Sequence, residues 1–302
     1  MDSRSSELRN SRNLLKYDKI QTAPNKVLFV CKSLSMKLAI YENLKQIITR
    51  IVTIFNLNIL PAPTGRPCKI LKLDALTLAL YQHTSTRCTK KSVYDDLKKS
   101  LKCSYKTLVV SMNRTAILAK KILELIMGSF AKQAHPIKYT DATDLPVCLR
   151  KNADKHKVMA DFAGFGRSSK GWYFGLKMTM TRDFDGRLLN LQFTHPGAND
   201  RDIFRDINKN IYGILVADAG YVSKKLEQDM NRENKRLLLI RPYKTMKRLA
   251  TFFQLAVYRG RFKIEFDFRV LKLFHGLVTS LPRSVDGYLS NYLHALLSFV
   301  IA

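Results

Sequence analysis

The chain has 302 residues, is 46% hydrophobic, and carries 52 Lys and Arg against 24 Asp and Glu, a formal net charge of +28. It can bury a large core, one catalytic-sized domain beside a smaller one. Such a charge excess self-repels unless a polyanion neutralises it, which makes nucleic acid the leading partner. Basic residues run along the whole chain, and this speaks against a membrane anchor. Cys31, Cys68, Cys88, Cys103 and Cys148 are scattered with no C-x-x-C pair, which argues against a zinc site and a disulfide framework and for a reducing cytoplasm.

Residues 1–26 are polar and weakly periodic, the pattern of a mobile arm without an apolar signal core. From Leu34 a helix is predicted, with Leu44, Ile48, Ile51 and Phe55 at helical spacing. Three prolines between Pro61 and Pro67 then break the chain. Asp74 reads as the N-cap of a helix over 75–81. A short amphipathic helix carries Val93, Leu97 and Leu101, and a longer one is expected from Ser104 towards Ile126. With Lys106 and Arg114 among their basic residues, these short helices suit a helix-turn-helix DNA reader. The alternative is a helical packing module with solvated lysines.

The stretch ending at Pro136 reads as a boundary, which divides the chain into a helical DNA-binding region, 1–132, and a catalytic domain, 133–302. Beyond it, Ile137 to Asp141 alternates as a strand. Trp172–Thr181 and Leu188–Phe193 are apolar runs joined through Asp185-Gly186, a hairpin signal. A helix near 203–208 follows. Ile214–Ala217 is a buried strand ending at Asp218, and Leu237–Ile240 is another. Helices are expected over 223–232, from Met246 onward, and at the C-terminus, which is too short to span a bilayer comfortably. The fold class is therefore α/β, a mixed sheet flanked by helices and preceded by an all-α region.

The late stretch Tyr258-Arg-Gly-Arg261-Phe-Lys-Ile-Glu265, continuing to Lys272, has spacings of three, four and seven. On one helix these place Tyr258, Arg261, Glu265 and Lys272 in one narrow arc. Beside it, Phe262, Phe266, Val270, Leu273 and Leu277 are expected to anchor the helix on the core. Asp141, Asp218 and Glu265, from three different elements, make an all-oxygen set suited to Mg²⁺ or Mn²⁺. Two such ions suit in-line phosphoryl transfer. The bland readings are that Asp218 starts a turn and that Glu265 simply pairs with Arg261 or Arg269. Asp144, Asp183, Asp185, Asp200 and Asp202 read mostly as turn or cap residues, and Trp172, Tyr173 and Phe174 as core.

At these residues the sequence resembles a bacterial insertion-sequence transposase of the DDE type. Tyr258, Arg261, Glu265 and Lys272 match the YREK signature of one large group of these enzymes. The segments 141–148, 171–177, 217–221 and 281–288 are similar as well. The resemblance covers roughly residue 137 to the C-terminus. It implies an RNase-H-like fold, a metal triad of Asp141, Asp218 and Glu265 holding two Mg²⁺ (or Mn²⁺), and cleavage of donor DNA followed by strand transfer. It also implies that Tyr258, Arg261 and Lys272 position the transposon end, and that a homodimer bridges two terminal inverted repeats and a target duplex at the bacterial nucleoid. Ala142 and Ala219 depart from the Ser and Lys common in relatives. Two rivals stay open: a non-catalytic DNA-binding relative, and a structure-selective nuclease on the same fold.

Overall fold

A computed structural model describes residues 29–59, 69–84, 89–232, 235–240 and 251–302, with side chains from residue 37 onward. The expected N-terminal arm and the first residues of the helix expected from Met246 lie outside these ranges. Among the described residues, five helices precede the strands: α1 (Phe29–Ile54), α2 (Lys72–Thr84), α3 (Lys90–Leu97), α4 (Tyr105–Arg114) and α5 (Ala116–Lys132). Caps set their starts. Thr89 and Ser92 form a reciprocal capping box on α3, and the Ser104 hydroxyl accepts from Thr107 N–H at the head of α4. Asp74 is not a cap; it lies in the first turn of α2, where a carboxylate complements the helix dipole.

The long helix expected from Ser104 is two helices. At Thr115 the backbone N–H turns back to Met112 O at 3.1 Å, and the Thr115 hydroxyl donates to the same carbonyl at 2.7 Å. With backbone and side chain both turned to the Met112 carbonyl, the α-pattern ends there, and the chain restarts at Ala116.

The second half holds a six-stranded sheet of β1 (Ile137–Cys148), β2 (Gly164–Ser168), β3 (Gly171–Asp183), β4 (Leu188–Thr194), β5 (Gly213–Ala217) and β6 (Arg236–Ile240). Its order is β2-β3-β1-β5-β6, with β4 also paired to β3. The first half of β3 pairs with β2 and the second half with β4, all antiparallel, while β1, β5 and β6 run parallel. The β3–β4 hairpin turns at Gly186, whose φ of 97° suits glycine. Fully buried Asp183 ties it down by accepting from Arg187 N–H and His135 N–H. The strands between are joined by α6 (Asp200–Ile207) and α7 (Lys224–Asn231), with Asn199 and Ser223 as N-caps.

Alternation along β3 buries both faces. Met178 and Met180 enter one core, whereas Thr179 and Thr181 are sealed on the other side, where the Thr181 hydroxyl bonds Thr140 and Asn208. The C-terminal helix α10 (Val285–Ile301) joins the two halves of the molecule. Tyr288, Tyr292 and Leu296 pack into the core that contains the sheet, and Leu297 and Ile301 into the helical core of α1–α5. Leu296, Leu297 and Ile301 each contribute about 1.5–3 kcal/mol by leaving water. No helix among the described residues is long and apolar enough to cross a membrane.

The stretch expected to be one late helix is broken. Helix α8 (Phe252–Arg259) ends at Gly260, and α9 (Phe262–Leu273) begins after Arg261. The join is a tightened turn, with Gly260 N–H bonded to Val257 O and Arg261 N–H to Tyr258 O. Glycine is required here by space, since a Cβ would sit 2.0 Å from the Tyr139 hydroxyl oxygen. The expected apolar stripe is also displaced. Phe262, Phe266 and Leu273 are 64%, 62% and 67% exposed, and Val270 is half-buried; of that set only Leu277 is buried. The face turned to the core is instead Ile264, Asp267, Phe268 and Leu271. Helix α9 carries apolar residues on two opposite sides, so periodicity by itself does not choose between them.

Candidate active site

Strand β1 runs through Asp141 to Cys148, so Asp141 lies mid-strand, not at a strand end as its sequence context suggests. What stops near it is the neighbour. Parallel pairing with β5 runs from Ile137 opposite Ile214 to Tyr139 opposite Val216. Carried two residues further, that register sets Asp141 beside Asp218, the residue that follows β5. Two carboxylates therefore meet at the carboxyl end of a parallel pair. Each is turned by its own backbone: Asp141 Oδ1 accepts from Ala142 N–H at 2.8 Å, and Asp218 Oδ1 from Ala219 N–H at 2.7 Å.

Helix α9 brings the third acid. Arg261 donates through Nη1 to Asp141 Oδ2 at 2.8 Å, and its Nη2 lies 2.7 Å from Glu265 Oε1 and 4.0 Å from Asp218 Oδ1. One guanidinium thus gathers all three predicted carboxylates. The ordinary i, i+4 pairing of Arg261 with Glu265 is present at the same time. Despite the break at Gly260, Tyr258 stays at the site; its hydroxyl donates to Asp218 Oδ1 at 3.4 Å, and its ring lies 5.9 Å from the Arg261 guanidinium.

Lys272, two turns after Glu265, donates to Asp144 Oδ1 at 3.0 Å, with both side chains largely buried. Asp144 therefore belongs to this cleft and is neither a turn nor a cap residue. An acid set on one strand by the same run as Asp141 was the available signal. The cleft, about 690 Å³, is also lined by Arg167, Lys170, Arg269 and Tyr173. Arg167 lies near the end of β2 and Lys170 in the β2–β3 turn, so that hairpin forms one wall. Lys177 crosses towards α6 and binds Asp200 Oδ1 at 2.6 Å. Trp172, read from sequence as core, is 53% exposed, whereas Phe174 is buried as expected.

Burial raises the Asp141 carboxyl to about 6; Asp218 and Glu265 push the same way, against Arg261 and the Ala142 N–H. Burial disfavours the Arg261 charge as well, yet Asp141, Asp218 and Glu265 more than offset it, and its pKa is raised. Burial lowers the Lys272 ammonium despite Asp144. Tyr173 is pushed up to about 12 by burial and by Asp144 and Asp200.

Among the described residues, no group of three or more His, Cys, Asp or Glu side chains is arranged to hold a metal ion as it stands. The donor set nevertheless fits a hard divalent cation, because three carboxylates already surround one positive group. Lys106 and Arg114 are remote from this cleft in the chain; both are exposed on α4.

A family profile described as "Transposase DDE domain" matches residues 131–284, which take in the sheet, α8, α9 and all three acids. The chain belongs to that family. No curated protein matches it. Among solved structures, it is similar to a piggyBac transposase in a synaptic complex with hairpin DNA. The TM-score is 0.50 at 9% identity, over 89% of this chain and 73% of that one. At that identity the likeness speaks for the fold alone. Together with the mixed sheet and its flanking helices, it identifies an RNase-H-like transposase fold.

Proposed function

We propose that this chain is the transposase of an insertion sequence, cutting transposon-end DNA and joining the freed end to target DNA. The single observation that carries the reading is the convergence of Asp141, Asp218 and Glu265 on one guanidinium at the carboxyl end of the parallel pair. Asp141, Asp218 and Glu265 would hold Mg²⁺ or Mn²⁺, and two such ions, when bound, activate a hydroxyl nucleophile and stabilise the leaving oxygen of an in-line transfer.

The remaining work falls to this chain's own groups. Arg167, Lys170 and Arg269 on the cleft wall meet phosphates flanking the scissile bond, and Arg261 turns from the acids to a phosphate oxygen in bidentate fashion. Lys272 is held by Asp144 at the far end of the cleft, where it neutralises the next phosphate. Tyr258 fixes the Asp218 carboxylate by its hydroxyl and steadies Arg261 by its ring. Residues 1–132 form the duplex-binding region, with Lys106 and Arg114 on an exposed helix face. Residues 133–302 form the catalytic domain, and a homodimer bridges two inverted repeats at the nucleoid.

The test is a labelled terminal-repeat duplex with a plasmid target, with and without Mg²⁺. Nicking followed by joining is expected from the parent chain. Loss of both is expected from Asp141→Asn, Asp218→Asn and Glu265→Gln with unchanged circular dichroism. Nicking that survives Asp141→Asn in a folded protein overturns the reading.

A second reading is a non-catalytic binder of element ends. It is favoured by Arg261, which pairs closely with Asp141 and Glu265 at 2.8 and 2.7 Å. It predicts salt-sensitive duplex binding that ignores Mg²⁺ and survives Glu265→Gln.

A further inference from the structure

Helix α9 presents three distinct arcs. One faces the core through Ile264 and Leu271, and one lines the cleft through Glu265 and Lys272. The third, opposite the core, holds Phe262, Phe266, Arg269 and Leu273 at spacings of four, three and four. Its apolar members are 62–67% exposed, a continuous patch that a soluble surface does not ordinarily leave open. The patch is not isolated from the chemistry, because Arg269 and Leu273 also line the catalytic cleft.

We infer that this arc is a docking track for unpaired nucleotides of the DNA strand leaving the cleft, with Phe262 and Phe266 stacking on bases. The inference rests on the proposed function for the identity of the DNA. Charge chooses the occupant. Arg269 is exposed within the arc and Arg259 is exposed at the end of α8, so a second copy of this strongly basic chain, net charge +28, would set like charges against each other. A polyanion is attracted by the same groups. An intact duplex offers them phosphates but keeps its base faces buried in the stack, away from a phenyl ring. Unpaired bases have exposed π-faces, and aromatic rings interleaved with cations are the usual means of holding them.

The test uses the full chain in EDTA, with a short single-stranded oligodeoxynucleotide carrying 2-aminopurine and the matching blunt duplex as probes. The variant is Phe262→Ser with Phe266→Ser. Single-strand affinity is expected to fall by about tenfold or more with loss of 2-aminopurine quenching, and duplex affinity by less than about twofold. Because nothing among the described residues covers the arc, Tm is expected to stay within about 2 °C of the parent. Unchanged single-strand binding overturns the inference. So does a marked fall in Tm, which would mean that the protein's own chain covers the stripe. A change from dimer to monomer in sedimentation would hand the face to a second copy and overturn it too. Nicking by the parent chain with Mg²⁺ is scored separately. If the parent does not nick while single-strand binding still requires Phe262 and Phe266, the proposed function fails and this inference stands.

Discussion

Arg261 reaches Asp141 across 120 positions of sequence and donates to its Oδ2 at 2.8 Å. The contact makes a basic residue the counter-ion of the acid on which the proposed chemistry depends. An arginine so placed competes with any other cation for the three carboxylates. Its own charge is favoured there, since the carboxylates more than offset its burial.

The first prediction follows from that competition. Arg261→Gln is expected to bind Mn²⁺ about tenfold more tightly than the parent in the absence of DNA, read by electron paramagnetic resonance of the free ion. Nicking is expected to fall all the same, because the phosphate contact is gone. Equal or weaker Mn²⁺ uptake by a folded variant would show that Arg261 does not contest the site.

A second prediction concerns the tight join between α8 and α9. Gly260→Ala drives a methyl to 2.0 Å from the hydroxyl oxygen of Tyr139, a ring with no exposed surface and no room to retreat. Overpacking of this kind costs about 1–3 kcal/mol. The Tyr139 hydroxyl is itself buried without a hydrogen-bond partner. Tyr139→Phe is therefore expected to be neutral or slightly stabilising, and to recover part of the loss when combined with Gly260→Ala. Urea denaturation of the two single variants and the double variant measures the coupling.

Lys90 supplies a third. Its ammonium donates to Asn113 Oδ1 at the junction of α3 and α4, and burial lowers its pKa to about 8. A depressed lysine favours folding only when neutral, so its charge costs stability below about pH 8. The cost is relieved between pH 8 and the ordinary lysine range. Lys90→Met is expected to gain on the order of 1–3 kcal/mol at pH 7, less the lost bond to Asn113. The gain should shrink as pH rises from 8 to 10, and thermal melts across that range test it.

Acid should act through the buried histidines at the same junction. The Thr115 hydroxyl donates to Met112 O, so His294 Nε2 must be the donor across its 3.0 Å contact with Thr115. That tautomer leaves His294 Nδ1 a bare, unpartnered acceptor with no place for a second proton. Burial holds His294 well below its usual pKa and brings His83 down to about 4. These groups stabilise the fold fully above about pH 6.5, and the contribution is lost as pH falls towards 4. His294→Gln is expected to flatten the fall of Tm across that window; an equally steep fall in the variant would assign the acid sensitivity elsewhere.

Much of the molecule is legible in its sequence. Hairpin chemistry at Asp185-Gly186, the apolar runs of β3, β5 and β6, and the helices expected near 203–208 and over 223–232 are local signals, and local backbone physics obeys them. The three acids stood out because each follows or interrupts an apolar pattern. Sequence also fixed the long-range charge argument, since net charge needs no fold. Tertiary structure alone decided the rest. Which side of α9 is buried depended on where the sheet lay, because Phe262 and Phe266 are as apolar as Ile264 and Phe268. The break at Gly260 depended on the Tyr139 ring approaching from another strand. That Asp144 joins Lys272, and that Arg261 sits among all three carboxylates, depended on β1 outrunning β5 and leaving its edge open to α9. Periodicity reports what one segment prefers to bury; only the packing of segments against each other determines which preference is met.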